Sequence, residues 1–466
     1  MIIAAIIIIP LLAALAAYFS KSSRASRYIL VTAAVIHTIL SACLPAFGEP
    51  LHIFSNLVLY LDDTALPVIA ATTLLFLLTS LYMFSWLKED QARGNPDKSS
   101  MKHSTFIAIM LVFLTTMTLT ALAQDLGTLW VAVEATTLAS APLINYRRSK
   151  TSLEAMWKYL LICSVGIGLA LFGTMLIAAS LNAANLGLSY DILSVVARTA
   201  KYNMMWFKAG FVFCFAGYGL KMGLAPFHTW MPDAYSEAPA PAAALISGSL
   251  VNCSFLAVIR IWEITPASLK SSCGGYLKFF GFFSLIVAAF FIIRQKDFKR
   301  MLAYSSVEHM GLLILLIAYN HHMMARLHLI SHSLIKMALF LLAGNIVMCY
   351  RTQSIAQVRG LFARLPKNGA LWIGGLLLIC GTPPSPLFFT EWQLVTSMGI
   401  IPGTAILLLL LIIFCGMGYC MLKMTEPAAE KSVVDENVEK LHTVPGAAIT
   451  LLLMLGLAIG AMFLMR

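Results

Sequence analysis

Charged residues are scarce in this sequence. Asp, Glu, Lys and Arg make up 11% of its 466 residues, whereas 60% are hydrophobic and the mean hydropathy is +0.85. A soluble domain carries about twice that share of charge, so this composition excludes a water-soluble protein folded around a single core. The sequence predicts an all-α polytopic membrane protein, in which no soluble domain is visible.

Several sequence motifs are also missing. The chain has no Walker loop, no GxGxxG after a strand, no HExxH and no CxxCH. Its nine cysteines lie mostly in apolar runs without CxxC or Cys/His spacing, which is typical of small buried hydrophobic residues. We therefore expect no catalytic residue, no cofactor, no metal and no disulfide.

Long apolar runs dominate what is present. Runs of about twenty residues, the length that spans a bilayer, predict roughly fourteen transmembrane helices. The first run lacks a basic segment before it, which indicates a transmembrane helix rather than a cleaved signal peptide. The predicted helices lie near 1–19, 28–46, 66–87, 104–124, 127–146, 153–180, 204–233, 239–262, 276–293, 301–320, 323–350, 370–400, 402–422 and 446–465.

Basic residues are distributed unequally between the two sets of loops. The loops after the first, third, fifth, ninth, eleventh and thirteenth predicted helices hold 21 of the 32 Lys and Arg. The positive-inside rule then predicts that both termini lie outside. It also explains the net charge of +11 without nucleic acid. Eight more Lys and Arg lie in or near the opposite loops and termini, which leaves three lysines inside the membrane: Lys158, Lys221 and Lys336.

The most unusual stretch is 211–245, where Lys221 lies deep in a membrane-length run and Pro226 follows it. Proline removes a helical hydrogen bond and breaks the helix. An ionisable residue at this depth indicates a functional site, and a broken helix there lines a cavity or packs in protein. Ion or proton passage is therefore the first hypothesis.

A second interrupted stretch contains Pro383, Pro384 and Pro386 and carries Glu391. The two broken helices, the seventh and the twelfth, are five helices apart, a spacing typical of inverted repeats in transporters. We predict an N-terminal segment at 1–103, five-helix repeats at 104–270 and 271–423, and a loop with a final helix at 424–466.

Histidines and a lysine form a stripe between these breaks. His328, His332 and Lys336 are spaced by four residues and so share one helical face. Histidine titrates near neutral pH, so the stripe is a candidate proton carrier.

The other candidates have structural alternatives. Glu134 is expected to pair with a lysine, and that pair is either a structural ion pair or one that exchanges a proton. Lys158 fits an interfacial role, Glu308 a loop-facing role, and His228 a hydrogen bond to carbonyls freed at the break.

Three segments together carry a family resemblance. KMGLAPFHTWMPDAYSEAPAP, DFKRMLAYSSVEHMG and HLISHSLIKMALFLLAG resemble the antiporter-like subunits of respiratory complex I, multisubunit cation/proton antiporters and membrane-bound hydrogenases. EATTLASAPLINYRRSKTSLEAMWKYLLICSVG is most similar to component F of hydrogenase-4-type complexes.

The resemblance implies a fourteen-helix fold with inverted repeats and no redox centre. It implies a proton pathway that contains Glu134 paired with Lys221, Lys158 as the family's sixth-helix lysine, the stripe, and Glu391 as exit residue. The family's eighth helix often carries a histidine or lysine where this chain has Ser247. We therefore expect water held by Ser247 and its neighbours, rather than a titratable side chain, to link Lys221 to the stripe.

The resemblance further implies a non-catalytic, proton-translocating subunit of an oxidoreductase complex in the bacterial or archaeal cytoplasmic membrane. Its partners would be other membrane subunits with peripheral hydrogenase and iron–sulfur subunits. Alternatives are a subunit of a multisubunit Na+/H+ antiporter or of NADH:quinone oxidoreductase, and a membrane scaffold that moves no ions.

Overall fold

The computed structural model describes residues 1–54, 57–92, 100–182 and 202–427. In these ranges nearly all regular structure is helical, and twelve helical segments are long and apolar enough to cross a membrane. This confirms the predicted polytopic helical fold. The fourteenth predicted helix, at 446–465, lies outside the described residues.

The helices are numbered here in chain order. The first seven are α1 Ile2–Phe19, α2 Ser23–Phe47, α3 Leu66–Ala92, α4 His103–Leu122, α5 Leu126–Ile144, α6 Lys150–Asn182 and α7 Met204–Met222. The next six are α8 Trp230–Glu237, α9 Ala240–Leu245, α10 Val251–Glu263, α11 Ala267–Ile292, α12 Phe298–Ala318 and α13 His322–Tyr350. The last four are α14 Leu361–Arg364, α15 Pro366–Ile379, α16 Pro386–Ser397 and α17 Ile400–Lys423.

Polar side chains cap several of these helices. Asp125 accepts from the backbone N–H of Thr128 at the start of α5, and Asp297 accepts from that of Lys299 at the start of α12. The first N–H groups of a helix have no partner within the helix, and leaving them unpaired away from water is costly. The caps fix where these spans begin.

The first predicted break lies between α7 and α8. Helix α7 ends at Gly223, whose φ of 90° is left-handed and therefore favours glycine. After Pro226 a short 3-10 turn, Phe227–Thr229, leads into α8. The indole N–H of Trp230 donates to the carbonyl of Leu220 at 3.1 Å, which satisfies a backbone group at the end of α7.

The second predicted break separates α15 from α16. Gly381 adopts a φ of 62°, and Pro383 and Pro384 follow it. The hydroxyl of Ser385 donates to the carbonyl of Leu378 at 2.8 Å, so a carbonyl at the end of α15 is paired across the break. Both interrupted helices predicted from proline are present.

The prediction did not include a small hairpin between α2 and α3. Strands β1 Leu51–Phe54 and β2 Leu57–Leu59 pair antiparallel. The carbonyl of Leu122, at the end of α4, accepts from the N–H of Tyr60 at 2.9 Å. The hairpin is thereby tied to the α4–α5 connection.

The chain divides into two compact units. Unit 1 contains Met1–Trp230 and Ser249–Leu277, and unit 2 contains Met231–Gly248 and Lys278–Arg466. The predicted repeat boundaries at 103, 270 and 423 stay a prediction.

Candidate functional site

Lys221 in unit 1 is fully buried in the last turn of α7. Its ammonium donates to the hydroxyl of Thr137 on α5 and, at 3.1 Å, to the hydroxyl of Tyr159 on α6. The ammonium also lies 5.1 Å from the centre of the Tyr159 ring, within the range of a cation–π interaction. These contacts replace the water that a buried charge loses.

Glu134 is linked to Lys221 through a hydroxyl. Thr137 donates to one carboxylate oxygen of Glu134 at 3.2 Å, and Ser164 donates to the other at 2.9 Å. Because Thr137 also accepts from Lys221, its hydroxyl bridges the predicted amine–carboxylate pair. Thr137 lies three residues after Glu134, so both side chains leave the same face of α5.

Lys158 lies on the outer face of unit 1. Its side chain is 47% exposed and pairs with Glu154 one turn earlier at 2.7 Å. The inward position belongs to Tyr159, whose hydroxyl lies 2.7 Å from that of Ser140 as well as near Lys221. The residue after the predicted one therefore contacts the buried lysine.

His228 and Ser247 are both buried, each in a non-α turn. His228 lies in the 3-10 turn that follows the break after α7. Ser247, in unit 2, lies in a π-helical turn, Ile246–Leu250, and donates to the carbonyl of Ala244 at 3.1 Å. The hydroxyl proton of Ser247 is thus used within its own helix.

The predicted stripe of unit 2 is buried along α13. His328, His332 and Lys336 are all 0% exposed. The ammonium of Lys336 donates to the carbonyl of Leu302 on α12 at 2.6 Å. Glu308, also buried on α12, interacts electrostatically with Lys336. The structure therefore brings together the acid and the amine that the sequence placed in two different helices.

The histidines of the stripe contact two residues that were not among the predicted site residues. His309 Nδ1 on α12 lies 3.1 Å from His328 Nε2, and His328 Nδ1 lies 2.8 Å from the hydroxyl of Thr390 on α16. The ring of His332 packs on that of His309, with 4.9 Å between their centres. The hydrogen-bonded file thus runs through His309, His328 and Thr390.

The carboxylate of Glu391 packs against Gly381, at the position that a Cβ atom would occupy in any other residue. Its side chain is buried on α16, and a Cβ at Gly381 would overlap its carboxylate. A mostly apolar pocket of about 250 Å³ borders Glu391 and includes Cys380, Trp392 and Phe414 in its lining. The predicted exit residue therefore stands at the second break, beside a pocket.

No group of three or more His, Cys, Asp or Glu side chains that could hold a metal ion occurs in the described parts of the chain. The expected lack of a cofactor or metal stays a prediction.

Comparisons with known proteins cover most of this chain. A family model described as "NADH:quinone oxidoreductase/Mrp antiporter, TM" matches residues 123–417, a range that includes every candidate site residue named above.

Two relatives are similar in sequence. A hydrogenase-4 component F homolog of Methylacidiphilum infernorum is 32% identical over 347 residues, covering 72% of this chain and 71% of that protein. Hydrogenase-4 component B of Escherichia coli is 28% identical over 364 residues, covering 74% of this chain, which spans about half (51%) of that longer relative.

A solved structure shares the fold. A chain of the archaeal membrane-bound sulfane sulfur reductase, a respiratory membrane complex, superposes with a TM-score of 0.84 at 20% identity, covering 99% of this chain and 94% of that one.

Proposed function

Because the chain belongs to the NADH:quinone oxidoreductase/Mrp antiporter transmembrane family, we propose that it is an antiporter-like, proton-translocating subunit of a multisubunit redox complex of the hydrogenase-4 type. The observation that carries the proposal is a fully buried lysine in each unit, Lys221 and Lys336, beside a proton-accepting or acidic partner. Ionisable residues inside a membrane protein are costly and mark ion or proton routes.

The contacts in unit 1 support proton exchange between the lysine and the acid. Lys221 can pass a proton to Thr137 while Thr137 passes its own hydroxyl proton to Glu134. The ammonium then becomes a neutral amine and the carboxylate a neutral acid, so the charge separation across the bridge disappears. A partner-driven change in packing that favours one state would load or release the proton.

The contacts in unit 2 support onward movement and release. Glu308 and Lys336 are a second buried acid and amine that interact electrostatically, and the imidazoles of His309 and His328 are hydrogen-bonded to each other. We assign release to Glu391, because its carboxylate borders a pocket at the break in the helix. His332 and His228 complete the proposed pathway as buried imidazoles, and Ser247 would act there through water.

Lys158 has the least geometric support in the pathway. Its side chain is exposed on α6 and paired with Glu154, so a proton role there requires that another subunit covers this face.

The outer face of α5 and α6 supports a membrane partner. Ser164 is exposed and donates to the half-buried Glu134, with Val131 and Leu138 exposed on the same side of α5. A carboxylate facing lipid is costly. We therefore propose that another membrane subunit covers this face, and that peripheral hydrogenase and iron–sulfur subunits supply the redox energy. The proposed location is the bacterial or archaeal cytoplasmic membrane, with both termini outside.

The proposal is tested in membrane vesicles that contain the assembled complex. Glu391→Gln and Lys336→Ala should abolish acidification or alkalinisation of the lumen while the complex still assembles. Normal pumping in both assembled variants would overturn the proposal.

The family name also includes Mrp antiporters, so sodium/proton exchange is the second candidate. Sodium-dependent proton movement, together with copurification of antiporter subunits and no redox subunits, would favour it.

A further inference from the structure

We propose that Thr390 is a positioning residue that fixes the tautomers of His328 and His309, so that this pair takes up a proton at Nε2 of His309 and presents its N–H groups towards Thr390. The inference rests on the proposed function, because it assigns a direction to part of the proposed proton pathway.

The argument starts from the single hydroxyl proton of Thr390. Thr390 donates that proton to the carbonyl of Leu387, one turn earlier on α16, at 2.8 Å. A carbonyl oxygen can only accept, so the threonine oxygen is left as an acceptor. His328 Nδ1 lies 2.8 Å from that oxygen and must therefore carry the proton of the bond.

The tautomer of His328 then determines that of His309. A neutral imidazole carries one ring proton, and the bond made by one nitrogen decides the state of the other. With Nδ1 protonated, Nε2 of His328 is an acceptor. His309 Nδ1, at 3.1 Å, must donate to it, and Nε2 of His309 is left without a proton.

Burial keeps the directions of these hydrogen bonds fixed. His309, His328 and Thr390 are all 0% exposed, so bulk water does not compete for their hydrogen bonds. Threonine also has a restricted χ1 angle in a helix, where its hydroxyl can bond a carbonyl three or four residues earlier. The hydroxyl oxygen of Thr390 therefore stays in place as the acceptor for His328 Nδ1.

A proton passing along the file reverses both tautomers. It binds Nε2 of His309, while the Nδ1 proton of His309 moves to Nε2 of His328 and the Nδ1 proton of His328 moves to the oxygen of Thr390. Thr390 must turn its hydroxyl away from Leu387 and release its original proton to a carboxylate, for which the candidate is Glu391, the proposed release group and the next residue on α16. Its return to Leu387 restores the acceptor that favours the starting tautomers.

Nitrogen NMR of the full-length chain, labelled with 15N-histidine and reconstituted in lipid, tests the tautomers directly. The signals of His328 and His309 are assigned by their loss in His328→Gln and His309→Gln. We expect Nδ1 to be protonated and Nε2 unprotonated in both residues.

Thr390→Val keeps the shape of the side chain and removes the acceptor. We expect it to move the His328 tautomer ratio by roughly tenfold towards Nε2–H, whereas Thr390→Ser keeps the wild-type ratio. Thr396→Val is the matched control, because Thr396 lies on the same helix, is exposed and donates to the carbonyl of Trp392 at 2.9 Å. It should change nothing.

Proton pumping by the assembled complex separates this inference from the proposed function. Pumping by the Lys336→Ala variant tests the proposed function, and pumping by the Thr390→Val variant tests the positioning role of Thr390. If Lys336→Ala stops pumping but Thr390→Val changes neither pumping nor the His328 signals, the role of Thr390 is excluded and the pathway stands. A wild-type His328 or His309 protonated at Nε2 would also overturn the inference.

Discussion

The ammonium of Lys221 donates a hydrogen bond to the hydroxyl of Thr137, a residue 84 positions earlier in the chain. Since Thr137 in turn donates to Glu134, a third side chain links the amine to the carboxylate along the proposed route of proton exchange. The proposed proton exchange between Lys221 and Glu134 therefore depends on how α5 packs against α7.

Thr137→Val should interrupt this bridge. The change removes a buried hydrogen bond to a charged group, a loss of about 1.5–3 kcal/mol, and leaves Lys221 with Tyr159 as its remaining hydroxyl partner. We expect proton pumping by the assembled complex to fall by at least about tenfold, while Thr137→Ser retains most of it. Equal pumping in the two variants would show that the bridge is not used.

Gly381→Ala should displace the carboxylate of Glu391. An added Cβ would overlap that carboxylate, and the left-handed φ of 62° adds roughly 1–2 kcal/mol of backbone cost. Gly399→Ala is the matched control, because Gly399 has a φ of 81° but open space around its Cβ position. We expect a loss of thermal stability in both variants and a loss of pumping only in Gly381→Ala. If both variants lose pumping alike, backbone strain rather than the carboxylate is responsible.

Asp62→Ala should destabilise unit 1. Arg260 is buried and donates to both carboxylate oxygens of Asp62, at 2.7 and 2.9 Å. Removing one partner of a buried ion pair costs about 3–5 kcal/mol, and the 29% exposure of Asp62 places the loss at the lower end. The double variant Asp62→Ala with Arg260→Met should recover part of the melting temperature in detergent. A double variant less stable than Asp62→Ala would contradict this account.

Lys299→Met should loosen the end of α8. The ammonium of Lys299 is buried and donates to the carbonyls of Ser236 and Ala238, at 2.5 and 2.6 Å. The change leaves the Ala238 carbonyl without this donor, at a cost of about 1–3 kcal/mol, while the Ser236 carbonyl keeps the amide of Gln353 at 3.0 Å. Amide hydrogen exchange of residues 231–240 should become faster, whereas Lys296→Met, at an exposed lysine, should leave it unchanged. Unchanged exchange in Lys299→Met would exclude the capping role.

The sequence predicted the broken helices and the burial of Lys221, Lys336 and Glu391, for a physical reason. Proline after Lys221 and before Glu391 is costly inside a membrane, as is each charge, so both stretches stand out as candidate sites without any knowledge of neighbouring helices. His328, His332 and Lys336 were placed on one face by spacing alone, and all three are buried.

The contacts between helices could not be predicted from the sequence. Successive residues on a helix point about 100° apart, so Lys158 faces outward while Tyr159 contacts Lys221. Thr137, His309 and Thr390 gain their roles from partners on other helices, which periodicity does not identify. Hydroxyl residues are also common in membrane helices, so their presence alone gave no signal.

The central claim is that Lys221 takes part in proton movement, and the ratio of protons moved to electrons transferred tests it most directly. The ratio is measured in vesicles with the assembled complex, for wild type and Lys221→Ala. We predict that Lys221→Ala retains electron transfer to partner acceptors but moves fewer protons per electron. An assembled Lys221→Ala complex with the wild-type ratio would contradict the account.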